Sequence, residues 1–174
     1  MPQTDILTSI EGRRAGLSGE GAMVLNLPSG AQVQLGLQID VTLTAAQVNA
    51  MAATPISVIA APGVGFAIYV ERVHAYLVAG TAFASIVAGG DLALKYTNGS
   101  GTQASGVIET TGFLDQATTQ HRIVGQQAST GATASDSSPV DNAAVVAHLI
   151  AAGVLTGGRS LKLRIRYSIV STAF

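Results

Sequence analysis

The sequence predicts an all-β fold: an antiparallel β-sandwich or barrel-like domain with one short helix near residues 44–52 and an extended N-terminal arm. Three observations carry that expectation. From Ala31 to Leu43 the odd positions are Ala31, Val33, Leu35, Leu37, Ile39, Val41 and Leu43, and the even ones are Gln32, Gln34, Gly36, Gln38, Asp40 and Thr42. From Ser160 to Ile169 the residues Leu161, Leu163, Ile165, Tyr167 and Ile169 alternate with Ser160, Lys162, Arg164, Arg166 and Ser168. Side chains on a β-strand point to opposite faces in turn, so both stretches are half-buried strands. Between them, Pro-Gly and Asn-Gly turn signals separate further short apolar runs, the spacing of a sandwich or barrel of about eight strands.

Taken in order, residues 1–30 are rich in Gly, Ser and Thr, with a short apolar run Ala22–Leu27 before Pro28-Ser29-Gly30. They read as an extended arm or a small hairpin, set apart from a domain over 31–174. At ~3.3 Å per residue the stretch Ala31–Leu43 would reach about 43 Å, roughly twice an ordinary strand. Either Gly36 breaks it, or it runs off the domain to pair with a neighbour. Thr44 can cap a helix over Ala45–Ala52, which Thr54-Pro55 ends, because proline disfavours helix in the residue before it. Ile56–Ala60 is a strand, and Ala61-Pro62-Gly63-Val64-Gly65 turns into a long one over Phe66–Val78. There the apolar parity slips: Phe66, Ile68 and Val70 share one phase, and Val73, Ala75 and Leu77 the other. A β-bulge at Glu71-Arg72 reconciles them; burial of the strand on both faces is the alternative.

Asp91–Tyr96 reads as a strand with Leu92, Leu94 and Tyr96 inward, and Asn98-Gly99-Ser100-Gly101 turns it back into Gln103–Glu109 as a hairpin. His121–Val124 is a weaker strand. Gln126–Pro139 is expected to be a long polar loop. Ala143–Ala152 fits helix or strand. Gly157-Gly158 then turns into the last strand, which ends near Val170.

Charged residues are only 11% of the 174, where an ordinary globular protein has about 25%. Charge keeps surfaces apart, so a surface this poor in it predicts cover by other subunits, most simply a symmetric homo-oligomer. The formal net charge of -1 gives no overall pull toward nucleic acid or anionic lipid, so neither is an expected partner. Cysteine is absent, which excludes disulfides and thiolate metal sites. No apolar run approaches the ~20 residues of a membrane helix, and no leader is expected, so synthesis in the cytoplasm is.

Catalytic signals are weak. His74, His121 and His148 each stand alone without metal-ligand spacing, and no metal or other cofactor is expected. No Gly-x-Ser-x-Gly elbow supports a nucleophile, and the Pro62-Gly63 turn lacks a phosphate loop's Gly-Lys-Ser ending. No enzyme is expected. The one charged constellation is Lys162, Arg164 and Arg166 on a single face of the last strand. It is either a solvated face or a stripe that meets acidic groups on a partner. Arg13 and Arg14 in the arm, and Val33, Leu35 and Leu37 on the first long strand, are the other candidate partner-binding residues.

The segment Leu43-Thr-Ala-Ala-Gln-Val-Asn-Ala-Met51, followed by Thr54-Pro55-Ile56-Ser57-Val58-Ile59-Ala60-Ala61-Pro62-Gly63, resembles a recurring pattern in tailed-bacteriophage virion proteins. The likeness continues through Tyr69–Val73, the Gly90–Tyr96 strand and Leu161–Tyr167. Across about half the chain it is similar to small head proteins of the decoration, cement or head-fibre type. That resemblance implies a β-rich, commonly trimeric protein bound to the major capsid protein on the outside of the phage head. The first forty residues depart from the short N-terminus of the pattern. Two other classes stay open, a receptor-binding or head-fibre module and a small β-barrel around an apolar ligand.

Overall fold

The two alternating stretches lie side by side, as strands of one sheet. The computed structural model describes residues 15–17, 23–26, 32–125, 139–150 and 155–173. In chain order the strands are β1 (Ala15–Leu17), β2 (Met23–Asn26), β3 (Gln32–Leu43), β4 (Ile56–Ile59), β5 (Phe66–Leu77), β6 (Phe83–Ala84), β7 (Leu92–Tyr96), β8 (Gln120–Gly125), β9 (Val145–Leu149), β10 (Thr156–Gly157) and β11 (Leu161–Ser171), with helix α1 at Ala45–Ala50. A six-stranded sheet runs β1-β2-β3-β11-β5-β8, a three-stranded sheet β4-β9-β7, and β10 pairs with β6. All pairings are antiparallel. Among the described residues eleven strands replace the expected eight or so, because the two short β10 and β6 pieces and the β1–β2 hairpin carry no periodic signal of their own.

The odd positions of β11 are buried and the even ones exposed from Leu161 to Arg166. Leu161, Leu163 and Ile165 join Leu43, Val73, Ala75 and Leu77 on the inner face of the large sheet. Val58, Leu92, Leu94, Tyr96, Val145, Ala147 and Leu149 of the small sheet belong to the same apolar cluster, so the core lies between the two sheets. Each Leu, Ile or Val among them contributes roughly 1.5–3 kcal/mol on leaving water, and the close fit makes their removal costly. The architecture is a β-sandwich.

The parity slip in β5 is a bulge. Arg166 pairs with Arg72 but Tyr167 pairs with Val70, so Glu71 is the extra residue. Gly36 does not break β3. Tyr167 pairs with Leu37 and Ile169 with Gln34, and Gly36 has a φ of 75°, so an inserted residue in left-handed backbone lets the strand continue. Residues 32–35 of β3 pair on their outer side with β2, the second strand of a hairpin formed with β1. In the arm, then, the described residues form a hairpin on the chain's own sheet.

α1 is capped as expected: the Thr44 hydroxyl accepts from the Gln47 N–H, and the Gln47 side chain accepts from the Thr44 N–H, a reciprocal capping box. The helix ends at Ala50, two residues before the expected Ala52. The stretch left open between helix and strand is strand β9. The expected return strand Gln103–Glu109 is irregular, touching β7 by single bridges at Lys95↔Gln103 and Leu92↔Ile108. Its regularity fails where the Ser105 hydroxyl, in place of a carbonyl, takes the Leu94 N–H. Most of the polar loop expected at Gln126–Pro139 lies outside the described residues.

One side chain ties the layers together and another braces two loops. The Tyr96 hydroxyl donates to the Ile68 carbonyl at 2.6 Å, a hydrogen bond from small sheet to large, and burial pushes its pKa up to about 12. Arg159 donates to the carbonyls of Gly80, Thr81, Gln116 and Thr118 at 2.7–3.0 Å, holding two loops against the start of β11. At Gly158 a side chain would fall about 2.0 Å from the Phe83 ring, so only glycine fits that turn.

Candidate functional site

The outer face of the large sheet collects what the inner face cannot hold. Strand register places Thr42, Lys162, Tyr76 and His121 in one row across β3, β11, β5 and β8. The next row holds Asp40, Arg164, His74 and Ile123, and a third holds Gln38, Arg166, Arg72 and Gly125. The stripe Lys162, Arg164 and Arg166 is therefore exposed as the alternation implied, and Arg72 of β5 lies beside it. Of the chain's nine lysines and arginines, Arg72, Lys162, Arg164 and Arg166 share this face.

Arg164 is committed. Its Nε and Nη2 donate to the two carboxylate oxygens of Asp40 at 2.8 and 2.7 Å, a bidentate pair on the surface. That hydrogen-bonded guanidinium holds the Asp40 carboxyl below its usual range. At the far end the Ser168 hydroxyl donates to Glu71. Lys162, Arg166 and Arg72 have no ion pair among the described residues.

Two of the histidines, each alone in its own strand, meet here. His74 Nε2 and His121 Nδ1 are 3.0 Å apart, so one ring donates and the other accepts. The rings stack at 5.3 Å, and the Tyr76 ring lies 4.6 Å from that of His121, tilted 41° to it. Burial, then the neighbouring His121, Arg164 and Arg72, lower the His74 pKa, each opposing another positive charge. Asp40, Thr42, His74, Tyr76, His121, Lys162 and Arg164 line a shallow depression of about 480 Å³. The surrounding cations oppose a metal dication between the two rings, and no group of three or more metal-ligating residues converges among the described residues. The chemistry of the depression favours an anion.

The other candidate residues divide. Leu37 is half-buried opposite Tyr167. Val33 and Leu35 pair with Leu25 and Met23 of β2, so this part of the β3 edge is occupied by the chain itself. Arg13 and Arg14 lie outside the described residues. Beyond Leu35, no described strand pairs with the outer edge of β3.

Sequence reasoning missed Asp40, His74, Tyr76 and His121. Each sits in the outward phase of its strand and so could have been placed on this face. Their convergence depends on register between strands far apart in the chain. His148 stays apart, its Nε2 3.2 Å from the Ala52 carbonyl.

No protein-family model, no curated protein and no solved structure matches this chain.

Proposed function

We propose that this chain is a structural protein of a tailed-phage head, a decoration protein that clamps major capsid subunits from outside as a symmetric homo-oligomer, with a trimer favoured. The observation that carries the reading is the division of the large sheet. Its inner face builds the core, while its outer face gathers four of the chain's few cations beside a strand edge that no described strand covers beyond Leu35. The resemblance of the Leu43–Gly63 segment and the closing strand to small phage head proteins points the same way. So does a charge content too low for a surface left wholly to water.

On this reading the mechanism is mechanical. The edge of β3 beyond Leu35 adds to a neighbouring copy's sheet, giving main-chain hydrogen bonds along that stretch. The outer face meets the shell. Each copy adds a modest contact energy, and repetition over the lattice multiplies it through effective concentration. A shell under internal pressure would then resist rupture. The protein acts in the virion, after synthesis in the host cytoplasm.

Light scattering on the purified chain, followed by co-sedimentation with undecorated shells, tests this. An oligomer that sediments with shells is expected; a strict monomer that ignores them rejects the proposal. Removing residues 1–30 strips β1 and β2 from β3. Folding should survive while attachment weakens, and unchanged attachment would refute a role for the arm.

A further inference from the structure

We propose that the outer face of the large sheet is a docking surface for an extended acidic protein segment, whose carboxylates seat at two cationic spots flanking the Asp40–Arg164 pair. The first spot is the Lys162 end of the depression, with Thr42, Tyr76 and the His74–His121 pair beside it and the paired Asp40 and Arg164 lining its other side. The second is formed by Arg166 and Arg72, paired across β11 and β5. Neither Lys162 nor Arg166 nor Arg72 has a carboxylate partner among the described residues. Between the spots Arg164 is already neutralised, by both oxygens of Asp40.

Spacing and sign select the occupant. Lys162 and Arg166 are four residues apart on one strand face, about 13 Å at ~3.3 Å per residue. Acidic residues four apart on an extended segment repeat that distance. A nucleic acid strand carries a charge at every nucleotide and would set phosphates against the Asp40 carboxylate at the centre. A polypeptide can place a neutral side chain there and keep its carboxylates for the two ends. Ile123, 61% exposed beside His74, offers an apolar contact to the same segment. The assignment rests on the decoration reading for one point, that the partner is the protein shell.

The test uses the full chain and a fluorescent synthetic peptide of alternating Thr and Val in which two positions four residues apart are Glu. Controls are the same peptide with Gln at both positions and an oligothymidylate of equal length. The Glu peptide is expected to bind best at low salt. Lys162→Gln and Arg166→Gln should each weaken it about five-fold, the size of one exposed charge pair, with circular dichroism unchanged. Peptide binding indifferent to both substitutions, or tighter binding of the oligothymidylate, overturns the proposal. The shell assay separates it from the reading it rests on. Wild-type chain that binds the peptide but ignores shells overturns decoration and leaves the docking surface supported. Shells bound equally by wild type and the double variant overturn the docking surface alone.

Discussion

The two sheets of the sandwich use the same backbone to opposite ends. In the large sheet, β11 is buried at Leu161, Leu163 and Ile165 and exposed at Lys162, Arg164 and Arg166. In the small sheet, β7 buries Leu92, Ala93, Leu94 and Tyr96, and β9 buries Val145, Val146, Ala147 and Leu149. A strand with one wet face can carry chemistry on every second residue without disturbing the core. A strand covered on both faces has no such freedom, since every side chain must fit a space already shaped by others. The large sheet is thus the place where this chain can vary its surface, and the small sheet is the wedge that holds it.

That contrast can be broken experimentally. The largest effect is expected at Ile165→Ala in the centre of β11, where Ile39 and Val73 flank a fully buried side chain. Urea unfolding should show a loss of about 3 kcal/mol, from lost transfer energy and the cavity left behind. Next comes Ala93→Leu on the second face of β7. It should cost about 2 kcal/mol by overpacking, while Thr42→Leu on the outer face of the large sheet stays within ~0.5 kcal/mol. Equal effects at the two positions would erase the distinction between the sheets. Below Ala93→Leu comes Tyr96→Phe, which removes the hydroxyl that joins the sheets through the Ile68 carbonyl, at about 1.5 kcal/mol. The same hydroxyl sets an alkaline limit. Its folded pKa of about 12 lies above the 10.0 of a tyrosine in water, so above pH 10.0 the unfolded chain sheds a proton that the folded one keeps. Stability should be full below pH 10.0 and fall as pH rises toward about 12, and Tyr96→Phe should lose that part of the decline.

The same contrast explains what could be read from the sequence. β3 and β11 were legible because one face of each is wet, and hydropathy records the difference at every residue. Even the bulge at Glu71 was legible, as a change of phase between Val70 and Val73. The return strand after Gly101 was not, because a single serine hydroxyl diverts the ladder. β9 was ambiguous because Val145, Val146, Ala147 and Leu149 are all buried, which hides the period that separates strand from helix. On the candidate site, the Lys162, Arg164, Arg166 stripe followed directly from alternation. The partners His74, His121 and Asp40 lie on three other strands, and nothing local tells a strand which register its neighbour takes. Arg159 gave no sign at all, since a clamp on four carbonyls leaves no pattern in the residues it holds.

β11 runs without interruption while both of its neighbours take in one additional residue near Tyr167, β3 at Gly36 and β5 at Glu71. The central strand therefore acts as a ruler, and the two insertions let the flanking strands change phase against it at nearly the same height. Deleting Glu71 alone would turn Phe66–Val70 inside out relative to Arg72–Leu77, driving apolar side chains into water or charged ones into the core. Length changes in this chain should thus be tolerated in its connections and rejected within these three strands, so its diversification has to proceed by exchanging side chains on a backbone of fixed count.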